Sequence, residues 1–401
     1  MDARERAFAH ELAFGATRLR GRLDHLLSRH VHRGLSALEP PVLEVLRLGS
    51  YQLLYMGSVP QYAAVSQSVH LAREAGGSGS AGLVNAVLRK VGGDGDRAEL
   101  FPDFSEDAAG FLATWGSHPR WLVDRWLNRW EPSAVRSLVE ANNKHPALYV
   151  VPLAVEPAEA VSILAASNLE AETVGRGSRC VRLGPGVGPM ASLAVLPRAI
   201  AQDPAANLVA VYADVPTGTK VADLCAAPGG KALAVSDRAL YTLAVDRSEP
   251  RLRMVRDNAA RTGSKVGLVV ADARRPPLDE VDVVLLDAPC SGSGTFARRP
   301  DARWRLTTRS IQDLAVLQTE MLLAAAEVVA DGGLLVYSTC SLEPEENEVQ
   351  VDAFLASRPD FRVEATSAVP PRYLDRLGRL TMTPQAYGFD GAFAARLRRA
   401  S

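Results

Sequence analysis

The hydrophobic pattern of residues 1–93 is helical throughout. In the segments 40–56, 63–75 and 80–91, apolar residues recur at three- and four-residue steps, and no strand-like alternation interrupts them. Prolines open the first of these segments, and a pair of glycines follows each of the other two. The pattern therefore predicts an all-α domain over residues 1–95.

The segment 105–197 has a mixed pattern. Residues 118–130 and 132–144 predict two helices that follow a glycine-rich linker. Beyond them, two short apolar runs at 147–155 and 180–183 enclose one helical stretch. We therefore predict linker helices followed by a small α+β module.

From residue 198 to 401, short apolar runs alternate with helical segments. The runs occur at 220–226, 240–246, 265–273, 281–289 and 332–340. Near-continuous apolar strands separated by helices are typical of a parallel, doubly wound sheet that is buried on both faces. This part of the chain is predicted to form one α/β domain with a Rossmann-like sheet.

Composition narrows the functional class. The net charge of the 401 residues is -1, so a nucleic-acid partner would have to be held by local basic patches. The four cysteines are well separated and lack metal-binding spacing, which argues against a disulfide framework and a metal site. The N-terminus has no signal-peptide pattern, and no apolar run reaches 18 residues. We expect a cytoplasmic, monomeric protein without a membrane segment or a bound metal.

A glycine turn and acidic strand ends suggest a nucleoside-containing ligand. Pro228, Gly229 and Gly230 lie between an apolar run and a helix, where glycine permits close backbone approach to a ligand. The next two runs end near Asp246 and Asp272, which suit a ribose diol and an adenine edge. The turn is neither GxGxxG nor a P-loop, so S-adenosylmethionine, which has no phosphate, is the favoured cofactor.

Two of the four cysteines, Cys290 and Cys340, follow predicted strands, and each precedes a serine. Either one alone is more often a small buried hydrophobic residue, but ligands bind at the carboxyl ends of such strands. A thiolate combined with a methyl donor suits cytosine, because thiolate addition at carbon 6 makes carbon 5 nucleophilic. Asp287, three residues before Cys290, is the carboxyl group expected near N3.

The motifs DLCAAPGGKA, LLDAPCSGSGTFARRPDARWR and VYSTCSLEPEENEVQV resemble those of the RNA 5-methylcytosine methyltransferases of the Sun/RsmB and nucleolar-protein class. Residues 45–72 and 79–90 are similar to the NusB-like RNA-binding domain of the bacterial RsmB subgroup, here short at its N-terminus. The resemblance implies a class I methyltransferase domain and a cytosine in small-subunit (16S) ribosomal RNA as the target. A different RNA, such as transfer RNA, and a non-catalytic assembly factor remain the alternatives.

The resemblance also implies the roles of individual residues. Cys340 is implied to be the nucleophile and Cys290 to assist product release, an order that spacing alone does not give. Lys231 and Asp287 are placed beside the reacting base. The expected cofactor contacts are Cys225, Ala226, Ala227, Pro228, Gly229, Gly230, Lys231, Asp246, Arg251, Asp272 and Asp287. From the residues themselves, the basic loop that follows Cys290 is expected to contact RNA through Arg298, Arg299, Arg303 and Trp304.

Overall fold

The computed structural model describes residues 2–401 and contains helices and strands in the order that the hydrophobic pattern predicts. The helices are α1 (Ala3–Arg18), α2 (Arg20–Ser28), α3 (Pro40–Tyr55), α4 (Gln61–Asp94), α5 (Ala108–Thr114), α6 (Arg120–Leu127), α7 (Pro132–Asn143), α8 (Pro157–Ala166), α9 (Pro189–Val195), α10 (Pro204–Ala213), α11 (Gly230–Ser236), α12 (Glu249–Thr262), α13 (Ala302–Arg305), α14 (Thr308–Glu327), α15 (Glu348–Ser357) and α16 (Pro384–Tyr387). The strands are β1 (Tyr149–Pro152), β2 (Ala171–Thr173), β3 (Val181–Leu183), β4 (Ala199–Ala201), β5 (Lys220–Asp223), β6 (Tyr241–Asp246), β7 (Gly267–Val270), β8 (Val281–Asp287), β9 (Val329–Thr339), β10 (Phe361–Val363), β11 (Leu380–Met382) and β12 (Ala392–Arg399).

The chain divides into two compact units. The first contains the chain up to Lys144 together with Phe296–Arg305, and the second contains His145–Thr295 and Leu306–Ser401. The division at Lys144 falls inside the segment 105–197 that the sequence predicts as one piece. It groups helices α5 to α7 with the N-terminal helices.

The first unit is helical, as predicted. Its core is formed by side chains of α2, α3 and α4, such as Leu27, Leu46 and Leu88, which are fully buried. Helix α4 contains a break where the glycine pair 76–77 was expected to end a helix. Gly77 has a φ of +76°, a left-handed conformation that glycine adopts without a steric penalty. The predicted pair of helices is therefore present, and the second of them runs on to Asp94.

The second unit begins with the predicted small α+β module. Its four strands form an antiparallel sheet in the order β2-β3-β1-β4. Side chains of α8, among them Ala160 and Leu164, pack against Val150 and Val181 of this sheet and are fully buried. The module thus has a hydrophobic core of its own.

The rest of the second unit is built on an eight-stranded sheet in the order β10-β12-β9-β8-β5-β6-β7, with β11 paired to β12. Strands β9, β8, β5, β6 and β7 are parallel, as predicted, whereas β12 and β10 extend the sheet in antiparallel pairing. The sheet is therefore mixed rather than wholly parallel.

Strand β8 is apolar at successive positions because both of its faces are covered. Val284 and Leu286 pack in the cluster that includes α14 and α15, whereas Val283 and Leu285 pack in the cluster that includes residues of α10 and α11. Because successive side chains of a strand point to opposite faces, a strand that is covered on both faces needs an apolar residue at every position.

No helix of residues 2–401 is both long and apolar enough to cross a membrane.

Candidate active site

The two cysteines predicted to act together are in contact. Strands β8 and β9 are parallel neighbours, with Asp287 opposite Ser338, so both strands end at the same edge of the sheet. The chain then places Cys290 and Cys340 with their Sγ atoms 3.4 Å apart. Both cysteines are partly exposed, so reagents can reach this pair. The backbones of the two loops are also joined, since Gly294 N donates to Cys340 O at 3.0 Å.

Lys231 and Asp287 form an ion pair next to the thiols. The Lys231 Nζ lies 2.7 Å from Asp287 Oδ2, and Ser338 Oγ donates to Asp287 Oδ1 at 2.8 Å. Burial lowers the pKa of Lys231, but the charge and hydrogen bond of Asp287, with further contributions from Asp223 and Cys340, raise it above its ordinary value. Lys231 therefore remains an ammonium group beside the predicted nucleophile.

The Cys290 thiol has a different environment. Its contact with Cys340 raises the pKa of Cys290 well above the usual range, and burial and the charges of Cys340 and Glu346 act in the same direction. Cys290 therefore holds its proton more firmly than an exposed cysteine does. A protonated thiol that touches the second thiol can donate a proton to it, and the thiolate left behind can then accept one at the same place.

A cavity of about 420 Å³ opens at the ends of the parallel strands, and Lys231 and Asp287 form part of its wall. The predicted glycine turn forms part of it: Gly229 has a φ of +106°, and a Cβ on Gly230 would lie 2.4 Å from Gln202 Nε2. The backbone conformation therefore favours glycine at position 229, whereas a side chain at position 230 would displace the end of Gln202. The residues that line the cavity are Leu193, Ile200, Ala201, Gln202, Asp203, Ala206, Asp223, Cys225, Ala226, Ala227, Pro228, Gly230, Lys231, Met254, Asn258 and Asp287.

Most of the predicted cofactor residues line the cavity, but Asp246, the last residue of β6, is not among the lining residues. Asp246 is only 4% exposed, and its carboxylate accepts hydrogen bonds from the backbone N–H groups of Ala227 and Ser248. The guanidinium of Arg251 lies 3.7 Å from Asp246 and donates to Ala227 O. Asp246 and Arg251 thus hold the loop that forms one wall of the cavity.

Asp272 does not line the cavity either. Its carboxylate is paired with Arg274, with an Nη2 to Oδ2 distance of 2.7 Å. The side-chain hydrogen bonds from Arg274 lower the pKa of Asp272 to about 2. An adenine contact by Asp272 stays a prediction.

The basic loop after Cys290 departs from the prediction at Arg303. This side chain is 0% exposed, and its guanidinium donates to the carbonyl oxygens of Ser117, Asn142 and Phe296 and to the side chain of Asn143. Burial lowers its pKa to about 9. The assignment of Arg303 as an RNA contact is corrected here, because its N–H groups already hold loop and helix ends of the first unit together.

The other residues of the basic loop are less enclosed. Trp304 is half-buried, its indole N–H donates to Thr17 O at 2.8 Å, and the Arg20 guanidinium lies 5.3 Å from the ring centre. Arg299 is exposed and Arg298 is half-buried. RNA contact by Arg298, Arg299 and Trp304 stays a prediction.

Two buried carboxyl groups near the thiols escape sequence reasoning. Asp223, the last residue of β5, lines the cavity and is 1% exposed, and its Oδ1 has no hydrogen-bond partner. Glu346 is 0% exposed and accepts hydrogen bonds from both cysteine loops. Asp223 could have been found, because it is a charged residue inside the predicted apolar run 220–226. Glu346 follows no strand directly and carries no such signal.

Comparisons with known proteins agree with this architecture. The family model of the 16S rRNA methyltransferases RsmB/F matches residues 211–398, the NusB family model matches residues 1–92, and a ferredoxin-like domain of RsmF/B-like methyltransferases matches residues 118–188. The chain is 34% identical to ribosomal RNA small subunit methyltransferase B of Klebsiella pneumoniae, over 90% of this chain and 84% of that protein.

Solved structures support the same fold. The crystal structure of PH0851 is 25% identical, with a TM-score of 0.81 over 99% of this chain and 91% of the other. The structure of NSun6 from Pyrococcus horikoshii with SFG is 19% identical, with a TM-score of 0.59 over 69% of this chain and 97% of the other. The predicted NusB-like N-terminal domain and the Rossmann-like methyltransferase domain are thereby confirmed.

Proposed function

The chain belongs to the RsmB/F family of 16S rRNA methyltransferases, and we propose that it methylates carbon 5 of a cytosine in small-subunit ribosomal RNA through a covalent adduct with Cys340. The observation that carries this proposal is the pair of thiols 3.4 Å apart at the ends of two adjacent parallel strands. A single pyrimidine ring placed over this pair can contact both sulfur atoms. A structural cysteine pair would not need an ammonium, a carboxylate and a cavity beside it.

Cys340 would begin the reaction as its thiolate. Its sulfur forms a bond to carbon 6 of the cytosine, and the electron pair of the 5,6 double bond moves towards carbon 5 as N3 takes up a proton from water, which it gives back when the ring is restored. The Lys231 ammonium stabilises negative charge on the sulfur, and Asp287, held by Lys231 and Ser338, supports the proton at N3. Carbon 5 thereby becomes nucleophilic enough to accept a methyl group.

Cys290 would act after methyl transfer. The proton on carbon 5 must leave, the 5,6 double bond must form again, and the bond between Cys340 Sγ and carbon 6 must break. The Cys290 sulfur touches Cys340, so its thiol can give a proton to the departing Cys340 sulfur and, as the thiolate so formed, take the proton from carbon 5. Without this thiol the adduct should persist.

The cavity beside the thiols fits S-adenosylmethionine, which supplies an electrophilic methyl group on a sulfonium when bound. Two residues that line the cavity each have a buried oxygen without a hydrogen-bond partner. These oxygens are Asp223 Oδ1 and Gln202 Oε1. Acceptors of this kind suit the positive charges and hydroxyl groups of that molecule. The absence of a side chain at Gly230 lets the end of Gln202 lie against the backbone in the cavity wall.

The family and the NusB-like domain favour ribosomal RNA as the substrate. Attack on the ring requires a cytosine that is unpaired or flipped out of a helix. Naked or partly assembled small-subunit RNA should therefore be methylated better than the RNA of mature subunits.

The proposal is tested with the variants Cys290→Ala and Cys340→Ala. Each protein is incubated with S-adenosylmethionine and 16S ribosomal RNA and then analysed by denaturing electrophoresis. Cys290→Ala should give a protein–RNA band that resists denaturation, because attack and methylation proceed and release fails. Cys340→Ala and the double variant should give neither the band nor labelled RNA.

Cys180→Ala is the matched control, because Cys180 is buried between the sheet of the small module and helices α11 and α12 and does not line the cavity. It should keep activity and give no stable band. A stable band with Cys340→Ala instead would show that the two roles are reversed, and its absence from both single variants would refute the covalent mechanism. Labelling of transfer RNA alone would leave the chemistry in place and contradict the substrate.

A further inference from the structure

Glu346 lies beneath both cysteine loops and is fully buried. Its Oε1 accepts hydrogen bonds from Ser291 N at 2.8 Å and from Gln318 Nε2 at 3.1 Å. Its Oε2 accepts from the hydroxyl groups of Ser291 and Ser341, each at 2.5 Å. Since Ser291 directly follows Cys290 and Ser341 directly follows Cys340, one carboxylate joins the two loops.

Residues of β9 and α14 hold Glu346 itself in place. Tyr337, inside β9, donates its hydroxyl hydrogen to Glu346 O at 2.7 Å. Gln318, in the middle of α14, donates to Pro289 O at 2.9 Å as well as to Glu346. Glu346 is therefore held by the sheet through its backbone oxygen and by a long helix through its carboxylate, and both elements are rigid parts of the second unit.

All four partners of this carboxylate are donors, and an ionised carboxylate has only acceptor oxygens. A glutamine of nearly the same size would direct N–H groups at some of these donors, and an alanine would remove the acceptor that the two loops share. Both changes should loosen the loops while leaving the cofactor cavity in place, because Glu346 is not part of its lining.

We propose that Glu346 is a positioning residue that holds the thiols of Cys290 and Cys340 close enough to act on one pyrimidine ring, a role that rests on the proposed function. Glu346 touches neither sulfur through a hydrogen bond and acts through Ser291 and Ser341. Its charge also favours the protonated form of the Cys290 thiol, in keeping with a proton held there until the product leaves.

The spacing of the thiols can be measured without RNA. Phenylarsine oxide condenses with two neighbouring thiols: the arsenic–oxygen bond and two S–H bonds break, two arsenic–sulfur bonds form, and one water leaves, with no change in oxidation state. The wild-type protein should take up one arsenical group across Cys290 and Cys340, detected by intact mass and lost in Cys290→Ala. Glu346→Gln and Glu346→Ala should react about tenfold or more slowly, because a displacement near 1 Å strongly lowers such two-point reactions.

The control is Glu327→Gln at the end of α14, the helix that carries Gln318. The Glu327 side chain is 72% exposed, so this variant loses the same charge without touching the loops. It should take up phenylarsine oxide like the wild type. Affinity for S-adenosylmethionine, measured on every variant, should stay within about twofold and shows that the second unit is folded.

The activity measurement completes the test. The methyl-transfer kcat of Glu346→Gln should fall by about 100-fold at an unchanged KM for S-adenosylmethionine, as expected when positioning and not binding is lost. The covalent band formed by Cys290→Ala should weaken when Glu346→Gln is added. Wild-type arsenical uptake and wild-type kcat in Glu346→Gln would overturn the positioning role. If the wild-type protein itself methylates no RNA, the proposed function fails, while the arsenical uptake still decides whether Glu346 sets the thiol spacing.

Discussion

Asp223 should make the second unit less stable as the pH rises from about 4 to 7. Its side chain lies at the end of β5, is 1% exposed and has one carboxylate oxygen without a partner. Burial raises its pKa from 3.8 to about 7, although the neighbouring Lys231 acts in the opposite direction. In the unfolded chain the same carboxyl group titrates near its ordinary value.

The sign and size of the effect follow from this difference. Between pH 4 and 7 the unfolded chain loses the Asp223 proton while the folded chain keeps it, so a rising pH favours unfolding. A pKa rise from 3.8 to about 7, at about 1.4 kcal/mol per pH unit, amounts to roughly 4 kcal/mol of lost stability, fully present only above pH 7. Asp223→Asn removes the charge at nearly constant size and should be more stable than the wild type by up to that amount at pH 8.

Hydrogen exchange of the β5 backbone amides in urea measures this stability, because it reports on the second unit alone. The stability difference between Asp223→Asn and the wild type should shrink towards zero at pH 4. Asp257→Asn serves as the control, since the Asp257 side chain is 70% exposed and should not change the pH dependence. Equal pH profiles for Asp223→Asn and the wild type would show that Asp223 is ionised at neutral pH and that the burial argument is wrong.

Three further variants test the cofactor wall and the basic loop. Asp246→Ala should weaken S-adenosylmethionine binding by about 1–3 kcal/mol in calorimetry, because the loop that it holds loses charge-assisted hydrogen bonds; an unchanged affinity would remove Asp246 from the site. Arg303→Met should lower the stability of the first unit by about 3 kcal/mol in hydrogen exchange of α6 and α7, because it leaves buried carbonyl oxygens without donors. Arg299→Ala, its exposed counterpart, should leave stability unchanged and reduce the salt dependence of RNA binding by about one charge; the opposite pattern would contradict the assignment of Arg303 as structural.

The parallel strands of the large sheet could be predicted because burial on both faces requires an apolar residue at nearly every position. Val283 to Leu286 alternate between two covered faces, so every position is apolar. The pairing of the antiparallel strands β10 and β12 gives no such signal in the sequence. Strand β12 carries arginines at positions 396 and 398 that pair with Glu364, and its antiparallel pairing depends on residues far away in the chain.

The same reasoning explains why Arg303 was misjudged. A cluster of arginines beside a tryptophan has the composition of an RNA-binding loop whether its side chains point to solvent or inward. What decides the outcome is a set of carbonyl oxygens from residues 117, 142 and 296, which only the fold brings together. The local sequence gives the charge of a side chain, but it does not show which hydrogen-bond acceptors the fold places around that side chain.

The roles of the two cysteines could not be ordered from their spacing, because both follow a strand and both precede a serine. Their charged neighbours differ. Lys231 contributes positive charge on the side of Cys340, whereas the Glu346 carboxylate raises the pKa of Cys290 after the stronger contributions of the thiol contact and burial. A cation favours the thiolate that attacks, and an anion favours the thiol that returns a proton. The raised pKa of Cys290 thus agrees with the proposed order, in which Cys340 attacks and Cys290 returns a proton.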